Sequence, residues 1–356
     1  MPKLYIFNPE HDLCLGNGDP NFVPPESALR FGRECEGLTE IVGSDGFCNV
    51  VPWGWDPVVR KRLLKSGVPE RDMPDDDSLK CIRQLSHRGL TIDANRFILD
   101  RVGDSPLGEI LFPKSEITLE ISDTEEIGPF VSRYHDAVAK APWSGSGKGL
   151  RWLREGEVSH SDVGWCRNTI AKQGSVILEP RRDVQQNFAM LYRVAAEEVI
   201  FEGYSLFFND NGMYSGNVLA SDDWIRDFLA GCVSLKLLDD IRDIVREFIS
   251  SRFVGNYLGF VGVDMFVYKN DIGRLRLCPC VEINVRMTMG LLARRVYDRV
   301  LPRIVESPQE AAYLFKVGYY PSHEALLQDA ERAVIVLHNV LPNSRYLAAV
   351  FKAREI

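Results

Sequence analysis

The 356-residue chain has no concentrated positive charge and no long apolar run. It carries 42 lysine and arginine residues against 50 aspartate and glutamate residues, and its longest basic clusters are Arg60-Lys61-Arg62 and Arg294-Arg295. Nucleic acids and anionic membranes require a positive face, so we expect neither as a partner. No apolar run approaches the roughly 20 residues of a membrane span, and the first residues show no export signal. We therefore expect a cytoplasmic protein with small-molecule partners.

The eight cysteines lack the spacing of a metal site. Cys278-Pro279-Cys280 is the one close pair, and it has neither the two-residue spacer nor the distant second pair of a zinc site. We expect the cysteines to be reduced residues of the core.

The length predicts two or three packed units. Strand-like runs (residues 4–7 and 50–51) alternate with helical patterns (57–65 and 78–85) at the start, which predicts a small parallel α/β unit. A further predicted helix (93–101) marks the crossing into a second unit. Antiparallel strands are predicted next, then a helical stretch, then further strands. The predicted strands are 137–141, 175–179, 188–194, 198–206, 216–219, 262–268 and 275–284, and the helical stretch is 222–254. Helices and two apolar runs, 333–340 and 346–351, finish the chain.

A glycine-rich loop follows the lysine that ends one predicted strand. Lys140 is followed by Ala141-Pro142-Trp143 and then by the loop Ser144-Gly145-Ser146-Gly147-Lys148-Gly149. Glycines let backbone N–H groups close on phosphate oxygens, and a neighbouring lysine adds positive charge. The spacing fits neither a P-loop nor a dinucleotide fingerprint. The loop could cover a triphosphate, or it could be a flexible hairpin turn.

Oxygen-bearing side chains alternate along two late strands. Glu282 and Asn284 share one face of their strand, and Asp264 projects from the neighbouring strand. Such a set suits Mg²⁺, with Mn²⁺ as an alternative metal. The alternative reading is an exposed polar face paired with Arg286 or Arg274.

An apolar strand ends in Glu179, followed by Pro180, Arg181, Arg182 and Asp183. An acid at such a hinge can accept hydrogen bonds from an adenine amino group or a ribose hydroxyl. A surface salt bridge of Glu179 with Arg181 or Arg182 is the alternative.

Taken in this order, the motifs resemble the ATP-grasp superfamily over residues 95–349. The resemblance implies a multidomain α/β and α+β fold: an N-terminal α/β domain (1–90), a central subdomain with the glycine-rich loop (91–180) and a C-terminal subdomain with the metal site (181–356). It implies that Asp264, Glu282 and Asn284 hold Mg²⁺, that Glu179 and Asp183 lie near the adenine and ribose, and that Arg286 and Lys148 are catalytic. The implied nucleotide-binding residues are Lys140, Ser144, Gly145, Ser146, Gly147, Lys148, Gly149, Glu179 and Asp183.

The same resemblance implies an ATP-dependent ligase, which activates a carboxylate as an acyl phosphate and joins it to an amine or a thiol with release of ADP. A kinase or phosphotransferase of the same superfamily and a non-catalytic nucleotide-binding protein are the alternatives. Neither the two substrates nor the oligomeric state follows from the sequence. Six N-terminal residues are candidate substrate contacts by loop position alone, with a structural role as the alternative for each. They are His11, Asp12, Trp55, Asp56, His87 and Arg88.

Overall fold

The computed structural model describes residues 3–43, 49–102, 108–113, 116, 118–145, 149–210, 213–310 and 312–353. The α-helices are α1 (His11–Asn17), α2 (Glu26–Glu34), α3 (Leu38–Val42), α4 (Pro57–Lys65), α5 (Asp76–Leu85), α6 (Leu90–Val102), α7 (Ile127–Tyr134), α8 (His160–Gln173), α9 (Asp222–Ala230), α10 (Leu235–Phe253), α11 (Met289–Arg295) and α12 (His323–Arg332). The strands are β1 (Leu4–Ile6), β2 (Val50–Pro52), β3 (Leu119–Ile121), β4 (Asp136–Lys140), β5 (Leu150–Arg154), β6 (Val176–Pro180), β7 (Asp183–Val194), β8 (Val199–Asp210), β9 (Met213–Leu219), β10 (Gly259–Lys269), β11 (Leu275–Asn284), β12 (Tyr313–Tyr319), β13 (Ile335–Val336) and β14 (Tyr346–Lys352).

The N-terminal segment forms a small parallel sheet, as predicted. β1 pairs with β2 in parallel, with Tyr5 opposite Val51. The predicted helix 57–65 is confirmed as α4, because Asp56 caps its first turn by accepting from the backbone N–H groups of Val58 and Val59.

The central part of the chain forms an antiparallel four-stranded sheet of order β3-β6-β4-β5. Side chains alternate across it. Ala137, Ala139 and Leu178 face a core shared with α7 and α8. Lys140 and Glu179 lie on the opposite face, so the period of two along β4 and β6 directs both polar groups away from the core.

The largest sheet has eight strands in the order β11-β10-β7-β8-β9-β12-β14-β13. Along β7, Met190 and Tyr192 enter a core shared with α5, α6, α9 and α10, whereas Ala189 and Leu191 enter a second core. This second core contains α11 and residues of the N-terminal segment. The sheet is therefore covered on both faces.

This architecture confirms the predicted fold class, a small parallel N-terminal sheet followed by two α+β units. The domain boundaries stay a prediction. Helices α5 and α6 share the core of the eight-stranded sheet, so the packing continues across the predicted boundary at residue 90.

One element prediction was wrong in detail. The helical stretch predicted over 222–254 is two helices, because α9 ends at Ala230 and Ser234 caps a new helix by accepting from the N–H of Leu237. The apolar run 333–340 contains only the two-residue strand β13. Among the described residues, every cysteine is free and no helix is long and apolar enough to cross a membrane.

Leu237→Ala tests the packing of α10. Leu237 is fully buried, so we expect a loss of about 2–5 kcal/mol in the free energy of unfolding. Leu235→Ala, at an exposed position of the same helix, should cost less than about 1 kcal/mol. Urea unfolding of both variants measures the difference, and equal losses would contradict this packing.

Candidate active site

Two cavities meet at the predicted metal residues. The inter-sheet cavity, of about 590 Å³, lies between the four-stranded and the eight-stranded sheets. The N-terminal cavity, of about 410 Å³, lies between α1, α2 and the eight-stranded sheet. Asp264 and Glu282 line both cavities. A ligand in either cavity can therefore approach the same two carboxylates.

The wall formed by the four-stranded sheet carries the lysine and the hinge acid. Lys140 is buried, and its Nζ donates to Glu179 Oε2 at 2.5 Å. Leu150 and Trp152 of β5 line the same cavity, and the Arg181 guanidinium lies 5.4 Å from the Trp152 ring centroid. This wall combines positive charge with an apolar surface on which an aromatic base could stack.

The opposite wall carries Asp264 on β10 and Glu282 on β11. The two residues are direct cross-strand partners. Side chains of direct partners lie close together, so like charges at these positions repel each other. Burial raises the pKa of Asp264 to about 7, and the negative charge of Glu282 adds to that shift.

Asn284 completes this set. Its Nδ2 donates to Asp264 Oδ2 at 3.2 Å, which leaves the amide oxygen as the atom that can bind a cation. Among the described residues, no group of three or more His, Cys, Asp or Glu side chains is placed to hold a metal. The candidate site has two carboxylates and one amide, and Mg²⁺ often binds to few protein ligands. The residues fit Mg²⁺, because a cation would relieve the repulsion between the two acids.

Arg286 lies in the N-terminal cavity and pairs with Asp12 of α1. Its Nε donates to Asp12 Oδ1 at 3.0 Å, and its Nη2 donates to Asp12 Oδ2 at 2.8 Å. Burial opposes ionisation of Asp12, but the neighbouring positive groups, with Arg286 foremost, together hold the pKa of Asp12 below its ordinary value. The pair links the N-terminal segment to the residues that directly follow β11, the strand that carries Glu282.

Arg88 reaches the site from the turn before α6. It is buried, and its Nη2 donates to Glu282 Oε1 at 2.9 Å and to Ser144 O at 3.2 Å. Burial acts to lower the pKa of Arg88, but the charges of Glu282 and Glu179 raise it above its ordinary value. Arg88 thus stays charged and contacts both walls of the inter-sheet cavity.

The glycine-rich loop (residues 144–149) begins against the N-terminal segment. A Cβ added at Gly145 would lie 2.2 Å from Asp12 Oδ2, and one at Gly149 would lie 2.3 Å from Ser144 Cβ. Both positions therefore require glycine because of close approach. The remaining predicted loop residues, Ser146, Gly147 and Lys148, lie outside the described residues.

The structure separates the six N-terminal candidates. Asp12 and Arg88 belong to the site. His11 and Asp56 are buried together, with His11 Nδ1 3.7 Å from Asp56 Oδ2, and Asp56 caps α4. His87 lies 3.6 Å from Glu120, and Trp55 packs against the core. None of these last four lines either cavity at the acid pair.

Asp183, expected near the ribose, is exposed and lines neither cavity. Other side chains that the sequence analysis did not identify do line them. Trp152 and Asn187 belong to the inter-sheet cavity, Tyr214 and Asn217 to the N-terminal cavity, and Phe207 and Asn209 to both. Alternation along β8 would have placed Phe207 and Asn209 on one face, but it does not show that a cavity lines that face. Tyr214 and Asn217 could not be grouped in this way, because a β-bulge in the pairing of β8 with β9 interrupts the period of two.

No protein-family model and no curated protein matches this sequence. Solved structures resemble it distantly. An N5-carboxyaminoimidazole synthase from Aspergillus clavatus, in complex with ADP and 5-aminoimidazole ribonucleotide, is 13% identical, with a TM-score of 0.49 over 85% of this chain and 76% of that chain. An N5-carboxyaminoimidazole synthetase from Staphylococcus aureus is 8% identical, with a TM-score of 0.48 over 100% and 96%. A biotin carboxylase from Campylobacter jejuni is 10% identical, with a TM-score of 0.46 over 85% and 70%.

These likenesses are too distant to assign a substrate or a reaction to the chain. The cleft has its own geometry: the glycine-rich loop begins on one wall, and the acid-bearing strands form the other.

Gly145→Ala tests the contact between the loop and α1. The new Cβ would displace the Asp12 carboxylate from Arg286, so we expect a stability loss of about 1–3 kcal/mol and a loss of activity. Gly164→Ala is the matched control, since Gly164 lies inside α8 with no neighbouring atom within 4 Å. The control change should raise the free energy of unfolding by about 0.5–1 kcal/mol. A harmless Gly145→Ala change in urea unfolding and in turnover would contradict the described contact.

Asp264→Asn tests the repulsion at the acid pair. Because the folded-state pKa of Asp264 is raised to about 7, the ionised form costs stability as pH rises from the ordinary value of 3.8 through 7. At pH 8 the free energy of unfolding of the variant should exceed that of the metal-free wild type by about 1–3 kcal/mol. This difference in stability should disappear as the pH falls towards 4. Thermal unfolding in the presence of a chelator measures it, and a less stable variant at pH 8 would count against the repulsion.

Proposed function

We propose that the protein is a Mg²⁺- and ATP-dependent ligase that activates a carboxylate as an acyl phosphate and joins it to an amine or a thiol. The acid pair at the junction of the two cavities is the observation that carries this proposal. A group transferred from a nucleotide in the inter-sheet cavity would meet a substrate in the N-terminal cavity at these carboxylates.

The inter-sheet cavity supports nucleotide binding. Lys140 and Arg88 supply positive charge for phosphates, and Trp152 supplies an aromatic surface near the hinge at Glu179. Ser144, Gly145 and Gly149 belong to the loop that would cover the phosphates, together with Ser146, Gly147 and Lys148. We do not assign the ribose to Asp183, because its side chain is exposed outside the cavity.

Asp264, Glu282 and Asn284 would hold Mg²⁺, or Mn²⁺ in its place. The metal would neutralise charge on the phosphates during in-line transfer. Asn284 keeps Asp264 in place through its amide donor. The carboxylates bind a cation only when ionised, so binding should strengthen as the pH rises towards and above 7.

The N-terminal cavity would receive the carboxylate substrate and the nucleophile. A carboxylate oxygen attacks the terminal phosphorus of ATP and ADP leaves; the amine or thiol then attacks the carbonyl carbon and phosphate leaves. Arg286 lies beside the acid pair and can stabilise the negative charge of the acyl phosphate. Its planar fork is held by Asp12, so the guanidinium is oriented before substrate binds.

The proposed reaction requires that water be kept from the site. Ser144 lines the inter-sheet cavity and Gly145 lines the N-terminal cavity, so the start of the glycine-rich loop lies where the two cavities meet. An acyl phosphate hydrolyses in water, so the loop must cover the site during the reaction.

Glu282→Gln tests the metal assignment. The change removes one charge at nearly constant shape, so Mg²⁺-dependent binding of a non-hydrolysable ATP analogue should weaken by roughly tenfold or more. Calorimetric titration measures it, with Glu306→Gln, at an exposed position outside both cavities, as the matched control. Equal affinity of wild type and Glu282→Gln for the analogue would contradict the assignment of the metal site.

Trapping with hydroxylamine separates the ligase from a kinase. A panel of carboxylates, incubated with ATP, Mg²⁺ and hydroxylamine, should yield one hydroxamate together with stoichiometric ADP. A stable phosphorylated product without hydroxamate would instead show a phosphotransferase.

A further inference from the structure

Arg88 is the residue that joins the two walls of the inter-sheet cavity. Its Nε donates to Ala141 O at 3.3 Å, just before the glycine-rich loop, and its Nη2 donates to Ser144 O at 3.2 Å, at the first residue of that loop. The same Nη2 donates to Glu282 Oε1 at 2.9 Å on the opposite wall. The side chain is buried, so these contacts form with little competition from water.

The backbone at Arg88 is fixed on both sides. Its N–H donates to Pro142 O at 3.0 Å, and its carbonyl accepts from Thr91 Oγ1 at 2.8 Å in the first turn of α6. Helices α5 and α6 pack into the core of the eight-stranded sheet. The guanidinium is therefore presented by a rigid support, as positioned binding groups require.

Four cationic side chains line the inter-sheet cavity among the described residues, and each pairs with an acid. Lys140 pairs with Glu179, Arg181 with Asp136 and Arg182 with Glu116. Arg88 differs, because its partner Glu282 is one of the proposed metal ligands. A cation that binds Glu282 competes with Arg88 for the same carboxylate, whereas the other three pairs need not change.

We propose that Arg88 exchanges Glu282 for the terminal phosphate of the nucleotide when the metal binds. Metal binding and phosphate binding would then be coupled through one guanidinium, which also holds the start of the glycine-rich loop. This inference rests on the proposed function for its nucleotide half. Its other half, competition between Arg88 and a cation for Glu282, requires no nucleotide.

Arg88→Gln tests the exchange through two changes of opposite sign. Without the guanidinium, Glu282 is freer to bind a cation, so Mn²⁺ alone should bind roughly tenfold more tightly, the effect of one charge-assisted hydrogen bond. The non-hydrolysable triphosphate analogue with Mg²⁺ should bind roughly tenfold more weakly, for the same reason. Binding of ADP should change less, because ADP lacks the terminal phosphate. Calorimetric titration measures all three.

Arg83→Gln is the matched control. Arg83 also contacts this region, through Leu15 O and the Trp143 ring, but it does not contact Glu282. It should leave Mn²⁺ affinity unchanged. Arg88→Lys keeps the charge but cannot make all of the contacts of the planar fork, so its affinities for Mn²⁺ and for the triphosphate analogue should lie between those of wild type and Arg88→Gln. This variant serves as the test if the glutamine variant does not fold.

A general structural defect would weaken the binding of Mn²⁺, the triphosphate analogue and ADP together, and that result overturns the proposal. Unchanged Mn²⁺ affinity in a folded Arg88→Gln variant overturns it as well. If wild type binds no nucleotide, the proposed function and the nucleotide half of this inference fail. The Mn²⁺ titration then still decides whether Arg88 and a cation compete for Glu282.

Discussion

Two carboxylates of like charge face each other across neighbouring strands, and the rest of the site is organised around that repulsion. Asp264 and Glu282 are direct partners in the pairing of β10 with β11. The surrounding cleft raises the pKa of Asp264 to about 7, first through burial and then through the charge of Glu282. Such a pair is unfavourable for folding by itself. A bound cation would make it favourable, which is the physical basis for the metal site proposed at this position.

The N-terminal segment supplies the charges that balance this cleft. Arg88 contacts Glu282 directly, and Asp12 fixes Arg286 beside the acid pair. Removing one member of a buried ion pair leaves an uncompensated charge, so these contacts also hold the N-terminal segment in place. The N-terminal segment therefore contributes to the candidate site through α1, and its packing against the eight-stranded sheet helps to place Asp12 beside Arg286.

The local part of the site could be predicted from the sequence. The alternation of Glu282 and Asn284 along one strand, and the position of Asp264 on the next, follow from the period of two. Lys140 and Glu179 likewise meet because β4 and β6 are neighbours, and the structure pairs them with each other rather than Glu179 with Arg181 or Arg182. The Arg88–Glu282 and Arg286–Asp12 contacts, in contrast, span 194 and 274 residues. No local sequence pattern predicts contacts between residues so far apart in the chain, so the sequence analysis identified Arg88 and Asp12 by loop position only.

A crystal structure of the protein with Mg²⁺ and a non-hydrolysable ATP analogue tests the central claim most directly. The account predicts a metal ion bound by Asp264, Glu282 and Asn284, with the triphosphate between the four-stranded and eight-stranded sheets and its terminal phosphate towards the N-terminal cavity. A nucleotide bound elsewhere, or a metal ion that does not contact the acid pair, would contradict it.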